Sequence, residues 1–331
     1  MKKKALAVLA VLMMLVMALT GCGGSSTKEA KKDDGKKGPW KWERDIEMVC
    51  VFGVGSGTDT TLRAICPLVE KELGVNIHIN NVAGASGLTG LEYAYQQPAD
   101  GYSYVMLTPS AVIQGLKKQA SFDVKKEMVP VCCLVQDSNI VFSNTKLPYK
   151  DWKGLVEYAK QNPGKPTMTL QSVSGIDALS AQQLFQQAGI KVTLVASSGA
   201  EAYSLVIGGH ADMTLGSPAD GDQYVKAGQV NPLIVINTAR STAMKDVPCS
   251  KDFKMTADLG PWRAIMARKG TPQEAIDSLE KAFAKAMKEK QWQDWKVKVG
   301  LNDRKGDYNQ KEMAKVWNDY FDMLAPLVTK K

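Results

Sequence analysis

The stretch Val49–Thr61, VCVFGVGSGTDTT, decides the fold: an apolar run enters a turn holding Gly53, Gly55 and Gly57 and leaves it through Thr58, Asp59 and Thr60. Glycine has no Cβ, so such a turn can take positive φ values and let a ligand come close to main-chain amides. Ser56, Thr58 and Asp59 are capping types, and Leu62, Ile65, Cys66, Val69 and Leu73 follow at helical spacing up to Gly74. The pattern predicts a strand, a glycine turn and a helix beginning at about Thr58 to Thr60. The helix start presents free N–H groups and a positive dipole end to whatever fills the turn, and small anions suit that place. The same composition also serves α/β folds that only need to reverse the chain, so the stretch alone leaves both readings open. Gly-x-Gly-x-Gly-Thr is neither the dinucleotide fingerprint nor a Walker loop, which sets nucleotide binding aside.

The theme repeats downstream. Val75–Val82 alternates as a strand does, Ala83–Gly90 supplies glycines and a hydroxyl before a helix through Leu91 and Tyr95, and Tyr102–Leu107 reads as the next strand, ending at Thr108-Pro109-Ser110. This βαβαβ series predicts a mostly parallel sheet with ligand-facing loops at the strand C-terminal ends. Val129–Phe142 is an apolar run long enough for a strand crossing into a second unit, where the same logic returns. There a helix is expected over Trp152–Gln161, then a strand over Thr167–Gln171 and a helix opened by Ser172–Gly175. Strand Val192–Ala196 ends at Ser197-Ser198-Gly199, a helix follows from about Glu201 to Ile207, and strand Met213–Leu215 ends at Ser217-Pro218. Pro232–Asn237 and Pro261–Arg268 read as further strands, the last returning across a hinge. Thr271-Pro-Gln-Glu274 looks like a helix opening with threonine as cap, and Ile276, Leu279, Phe283 and Met287 form its apolar stripe. A final helix from about Gln310 is predicted to bury Met313, Val316, Trp317, Phe321 and Leu324.

The N-terminus predicts the compartment. Lys2–Lys4, the apolar Ala5–Leu19 and the ending Leu19-Thr20-Gly21-Cys22 have the form of a secretory signal, too short for a spanning helix, which needs ~20 residues. The ending resembles a bacterial lipobox, which implies a lipoprotein signal peptide over 1–21, with cleavage before Cys22 and lipidation of its sulfur. Residues 22–43 are rich in Gly, Ser and mixed charge and read as a disordered tether between lipid and domain. Of 42 Lys+Arg and 34 Asp+Glu, the leader takes three basic residues and Cys22–Arg44 seven basic and four acidic, leaving 32 against 30 from Asp45 onward. The net charge of +8 therefore sits mostly outside the folded part, and no nucleic-acid footprint remains there. The tether's lysines are placed to meet anionic lipid head groups. Cys50, Cys66, Cys132, Cys133 and Cys249 make no metal-ligand spacing, so no metal or cofactor is expected, and the apolar settings of Cys50 and Cys66 favour free buried thiols.

The ordered motifs FGVGSGTD (52–59), NVAGASGLTG (81–90), PADGYSY (98–104), IGGHADM (207–213) and GPWRAIMARKGTP (260–272) resemble the extracytoplasmic receptors of tripartite tricarboxylate transporters, also called Bug-type receptors. The resemblance implies an α/β, two-lobed periplasmic-binding-protein fold of type II, with two crossover strands and each lobe a mostly parallel sheet flanked by helices. Lobe 1 would comprise 44–138 plus 266–331 and lobe 2 139–265. It further implies a solute-binding receptor held outside the cell membrane that closes on a small organic anion, a di- or tricarboxylate or an amino acid, and hands it to membrane permease subunits. Carried over by position, the first-lobe contacts would be Gly55, Ser56, Gly57, Thr58 and Asp59, with Ser86, Gly87, Thr108, Pro109 and Ser110. The opposing lobe would offer Ser172, Ser174, Gly175, Ser197, Ser198, Gly199 and Ser217. The chain departs from the commonest family form at Val51, Val54 and Ser56, which stand where two prolines and a glycine are usual, and at Ala196–Gly199, where Tyr-Lys-Gly-Gly is frequent.

Several side chains keep two readings. Arg263 could pair with a second carboxylate, since guanidinium binds carboxylate bidentately, or simply border the hinge. Trp262 fits hinge packing, Asp59 fits capping of its own helix, and His78 and His210 fit structural or solvated positions. A serine hydrolase would need a nucleophile elbow, and no Gly-x-Ser-x-Gly is present. Triad residues can converge from distant positions, so a hydrolase stays open, as does a sensor signalling to a membrane kinase.

Overall fold

The computed structural model describes residues 40–170, 172–173, 175–197 and 201–328. In chain order these form β1 (Ile46–Cys50), α1 (Gly57–Leu73), β2 (Ile77–Asn81), α2 (Leu88–Gln96), β3 (Ser103–Leu107), α3 (Pro109–Leu116), α4 (Val124–Glu127), β4 (Met128–Gln136) and β5 (Asn139–Asn144). There follow α5 (Trp152–Gln161), β6 (Thr167–Leu170), α6 (Ile176–Gln187), β7 (Thr193–Ala196), α7 (Ala202–Gly208), β8 (Met213–Gly216), α8 (Pro218–Lys226) and β9 (Val230–Ile236). The chain ends with β10 (Trp262–Arg268), α9 (Gln273–Ala286), α10 (Lys290–Lys298) and α11 (Gln310–Val328).

Two five-stranded sheets carry the fold, in the orders β2-β1-β3-β10-β4 and β7-β6-β8-β5-β9. In the first, β10 alone runs against its neighbours. In the second it is β5. Each reversed strand is the one that arrives from the other lobe, which gives the two-lobed α/β architecture with mostly parallel sheets. The apolar run Val129–Phe142 is two strands rather than one: β4 leaves the first sheet at Gln136, Asp137 and Ser138 make the crossing, and β5 enters the second. The return crossing lies before Trp262, because β10 pairs with β4 along its whole length, from Trp262 opposite Gln136 to Arg268 opposite Met128. That is a few residues earlier than the boundary at 265 expected from sequence.

Period-2 alternation distributes the core to both faces of each sheet. Adjacent Cys132 and Cys133 illustrate it: the first joins the cluster of Leu62, Ile65, Phe283 and Trp292, the second that of Leu91, Trp262, Trp317 and Phe321. All five cysteines from Cys50 to Cys249 are buried and free. On α11, Met313, Trp317, Phe321 and Leu324 are buried at helical spacing while Val316 is half-buried against them; each large side chain so buried is worth ~1.5–3 kcal/mol. The second sheet has its own two clusters, one under α5 and α6 around Leu155, Met168 and Phe185, the other around Phe142, Tyr203 and Val206.

Two local expectations are corrected. The predicted tether does not extend to residue 43, because Trp40 and Trp42 pack with Tyr102 at ring-centroid distances of 5.8 and 5.7 Å, and Trp42 Nε1 donates to Ser278 Oγ at 3.0 Å. Two tryptophans bury enough surface to anchor a segment whose average composition is polar. At α9 the N-cap is Pro272, not Thr271, whose Oγ1 instead donates to the Arg268 carbonyl at 2.7 Å.

Candidate functional site

The C-terminal ends of β1, β6 and β8 and the two crossings surround a cavity of about 610 Å³. The first lobe contributes Gly55, Gly57 and Thr60, the crossings Asp137, Pro261 and Arg263, and the second lobe Asn139, Asp177, Tyr203, Gly216, Ser217, Asp220 and Tyr224. Ser56 caps α1, its Oγ accepting from Asp59 N at 3.3 Å, so the helix begins at Gly57, slightly earlier than expected. Of the three turn glycines only Gly55 has a positive φ, +82°. Gly57 answers a different need: a Cβ there would lie 2.7 Å from Arg263 Nη2. Absence of a side chain lets the guanidinium lie over the start of α1.

Arg263 is held in place from two sides. Nη1 donates to Thr61 Oγ1 at 3.0 Å and Nη2 to Asp137 Oδ2 at 3.1 Å. Thr61 Oγ1 in turn donates to the Gly57 carbonyl at 2.6 Å, tying the arginine to the first turn of α1. Burial pushes the Asp137 carboxyl up to about 6, against the opposing pull of Arg263. Across the cavity, burial also raises Asp177, the bond it accepts from Asn139 Nδ2 at 2.9 Å opposes the rise, and the charge of Asp220 adds to it. Asp220 completes a capping box at α8, where Ser217 Oγ donates to its carboxylate at 2.7 Å and accepts from its N–H at 3.2 Å.

The residues singled out from sequence divide into groups. Gly55, Gly57, Ser217 and Arg263 line the main cavity. Ser86, Ser110 and Gly175 line a separate cavity of about 240 Å³ between η-turn Ala85–Gly87, α3 and α6. Ser56, Thr58, Asp59, Gly87, Thr108, Pro109, Ser172 and Ser197 line neither. Thr108 caps α3, accepting from Ser110 N at 3.4 Å, with Pro109 as its first residue. Ser197 accepts from Thr169 Oγ1 at 2.6 Å. Asp59 is buried and points inward: its carboxylate accepts from Gly55 N at 2.9 Å and from Arg63 Nε and Asn81 Nδ2 at 3.0 Å. Burial opposes its ionisation, yet those bonds together hold the carboxyl below its ordinary value. Ser174, Ser198, Gly199 and Cys22, with the leader and most of the tether, lie outside the described residues.

Sequence reading missed Asp137, Asp177 and Asp220 as cavity residues. A signal existed for two of them: Asp137 interrupts an apolar run, and Ser217-Pro-Ala-Asp220 is a capping-box pattern. The histidines belong elsewhere. His78 is exposed and hydrogen-bonds through Nε2 with Asp45 Oδ2 at 2.9 Å, His210 is exposed in the turn after α7, and neither lines the two cavities. Trp262 is fully buried against Trp317 and Tyr320, as hinge packing requires. Among the described residues no group of three or more His, Cys, Asp or Glu could hold a metal ion, and no helix is long and apolar enough to cross a membrane.

The chain is 26% identical to Protein BugT of Bordetella pertussis over 253 residues, 75% of this chain and 77% of that one. It is 25% identical over 251 residues to a UPF0065 protein from the TAR-I ttuE-ttuC' intergenic region of Agrobacterium vitis, covering 74% and 71%. Among solved structures it superposes on one described as a periplasmic transporter with a TM-score of 0.77 at 24% identity, covering 87% and 97% of the two chains. It also superposes on MatC from Rhodopseudomonas palustris with bound malate, at a TM-score of 0.74 and 20% identity, covering 86% and 99%. The architecture is that of a two-lobed α/β protein with a cleft between its lobes. A family model described as tripartite tricarboxylate transporter family receptor matches residues 62–330, and the chain belongs to that family.

Proposed function

We propose that this receptor captures a small organic carboxylate between its two lobes and delivers it to the membrane permease of a tripartite tricarboxylate transporter. The observation that carries the proposal is the cavity itself, in which the glycine turn opening α1 and the guanidinium of Arg263 face a second lobe across a polar gap. A helix N-terminus favours a nearby anion by ~0.3–1 kcal/mol when exposed and up to ~2 kcal/mol when partly buried. Closure that excludes water turns such modest contacts into capture, and the closed form differs in shape from the open one, which a permease can recognise. The structural relative carrying malate and another from R. palustris described with adipate support a small carboxylate as the class of ligand. We place the mature protein outside the cell membrane, anchored through lipidated Cys22 by a tether that ends before Trp40. We read the role as binding rather than catalysis, in keeping with the receptor family to which the chain belongs.

A thermal-shift screen of the purified protein against carboxylates, neutral sugars and metal ions tests this. A ligand that binds only the folded state at hundreds of times its Kd adds ~3–4 kcal/mol of stability. Stabilisation by a carboxylate series is expected; a response only to sugars or metals contradicts the proposal.

A further inference from the structure

The guanidinium that faces the ligand is already engaged. Arg263 donates through Nη2 to Asp137 Oδ2 at 3.1 Å and through Nη1 to Thr61 Oγ1 at 3.0 Å, which uses two of its five N–H donors. Both members of the Arg263–Asp137 pair line the cavity, and their side chains are largely covered. The other charged side chains in its wall are Asp177 on α6 and Asp220 on α8. One positive and three negative groups sum to a formal −2 when all are ionised. A cavity of that sign repels the carboxylate it is built to hold.

Among the described residues no other cation relieves this. Behind the crossing, Arg304 Nη1 would lie 2.8 Å from a Cβ at Gly260, but it is paired with Asp258 Oδ1 at 2.8 Å. On α1 the group that meets Arg263 is the Thr61 hydroxyl, and Asp59 is spent on Arg63 and Asn81. Tyr203 on α7 stays a neutral phenol, because burial raises it. Asp177 and Asp220 face Asp137 with like charge. An incoming carboxylate therefore has one cation to reach, and it must either share Arg263 with Asp137 or replace it there. Sharing sets two carboxylates on one guanidinium in a largely covered place, where like charges that close favour protonation of one of them. Burial already pushes the Asp137 carboxyl up to about 6, with Arg263 opposing and Asp220 and Asp177 adding to the rise.

We infer that Asp137 is an internal competitor of the ligand: it occupies Arg263 in the empty cavity, and the ligand's carboxylate displaces it from the guanidinium while Asp137 takes one proton from solvent and becomes neutral. The inference rests on the receptor reading above and adds to it the exchange by which the cation passes to the ligand. The guanidinium keeps a carboxylate partner throughout, first the aspartate's and then the ligand's, so neither state leaves it without a counter-charge. Binding is thereby linked to proton uptake, and affinity falls as pH rises, by at most about tenfold per pH unit for one proton. Asp137 thus sets how tightly the receptor holds its ligand at a given pH.

The test is calorimetric titration of the full chain with succinate, malate and adipate at about pH 7.5, in two buffers of different ionisation heat, which counts the protons taken up. Uptake of about half to one proton per ligand is expected, with affinity weakening about fivefold or more from pH 6.5 to pH 8.5. Asp137→Asn leaves Arg263 an oxygen to bond and removes the competing charge. It is expected to bind the same acid about tenfold tighter at pH 8.5 and to take up no proton. Circular dichroism shows whether the variant is folded; if it is not, the proton count and pH profile of the wild type decide. A bound acid with no proton uptake and no pH dependence overturns the inference and leaves the carboxylate reading standing. Proton uptake that survives Asp137→Asn, or weaker binding by the folded variant, overturns the role given to Asp137. Failure of all three acids to bind overturns the inference and the carboxylate reading together.

Discussion

Arg263 and Asp137 meet where the chain crosses twice between its sheets, Nη2 lying 3.1 Å from Oδ2 with side chains 13% and 6% exposed. Asp137 N also donates to the Pro261 carbonyl at 2.7 Å, so the two crossings are joined by backbone and by charge. Removing one partner of a buried pair strands the other charge, which typically costs ~3–5 kcal/mol. Arg263→Ala is expected to lose ~3 kcal/mol in urea unfolding, and Asp137→Asn added to it should recover part of that loss. Strict additivity of the two substitutions would show that the pair does not act as a unit.

Acid titration should separate two buried aspartates by sign. Asp137 has its folded value raised to about 6 from an ordinary 3.8. Its charged form is therefore the costly one, and wild type should gain stability relative to Asp137→Asn as pH falls from 7 towards 4, by up to ~3 kcal/mol. Asp59 has its folded value lowered, so the stability it contributes is present above its ordinary value and lost as pH falls through the lowered one. Wild type should accordingly lose its advantage over Asp59→Asn on acidification. Melting temperatures of the three proteins across pH 3.5 to pH 7.5 check both slopes, and slopes of the same sign would contradict the assigned environments.

The glycines of the opening motifs should differ sharply in tolerance. At Gly90 a Cβ would lie 2.5 Å from the Val82 carbonyl oxygen and 2.8 Å from Val51 Cα, both backbone atoms that cannot move aside. Gly90→Ala is expected to cost ~2–3 kcal/mol. Gly53 has open space around it and no positive φ, so Gly53→Ala should fall within ~0.5 kcal/mol of wild type. Denaturant midpoints at constant slope measure both, and equal costs would contradict the packing described.

At Gly57 the expected effect falls on binding and on the buried pair together. Its Cβ would meet the end of the Arg263 side chain, 2.7 Å from Nη2, and a side-chain end can swing away. Gly57→Ala should cost part of the ~3 kcal/mol expected for Arg263→Ala and weaken the bound carboxylate by about tenfold, corresponding to ~1.4 kcal/mol. Unchanged affinity would remove Arg263 and the start of α1 from the recognition of the ligand.

Much of this architecture is legible in the sequence because its signals are local. The turn Gly53–Gly57, the strand ends at Thr108 and Ser217, and the stripes of α9 and α11 all follow from spacing and capping chemistry. What stays hidden is non-local. Lys290–Lys298 forms α10 with only Trp292 fully buried, so its apolar periodicity is too thin to read. Asp137-Ser138 is the one mark of the crossing in the sequence, because β4 and β5 are buried along both faces and the apolar residues themselves do not say where one sheet ends and another begins. Ser217-Pro218 reads as the end of a strand, although Ser217 and Asp220 also form the capping box that opens α8. The meeting of two aspartates at the cavity is non-local: Asp220 has its capping-box pattern, but Asp177 and Asp220 lie on different helices, and only the order of strands in the second sheet brings them to one cavity.

The central claim is that the cavity between the lobes holds a small organic carboxylate. Equilibrium titration of carboxylates into the wild type and into a folded Thr60→Trp variant, which sets an indole at the exposed cavity-lining position of α1, tests it most directly. The account predicts one saturable site per chain in the wild type, at micromolar or tighter Kd, or about −8 kcal/mol, and its loss in the variant. Carboxylate binding of equal strength in the plugged variant, or none in the wild type, would contradict it.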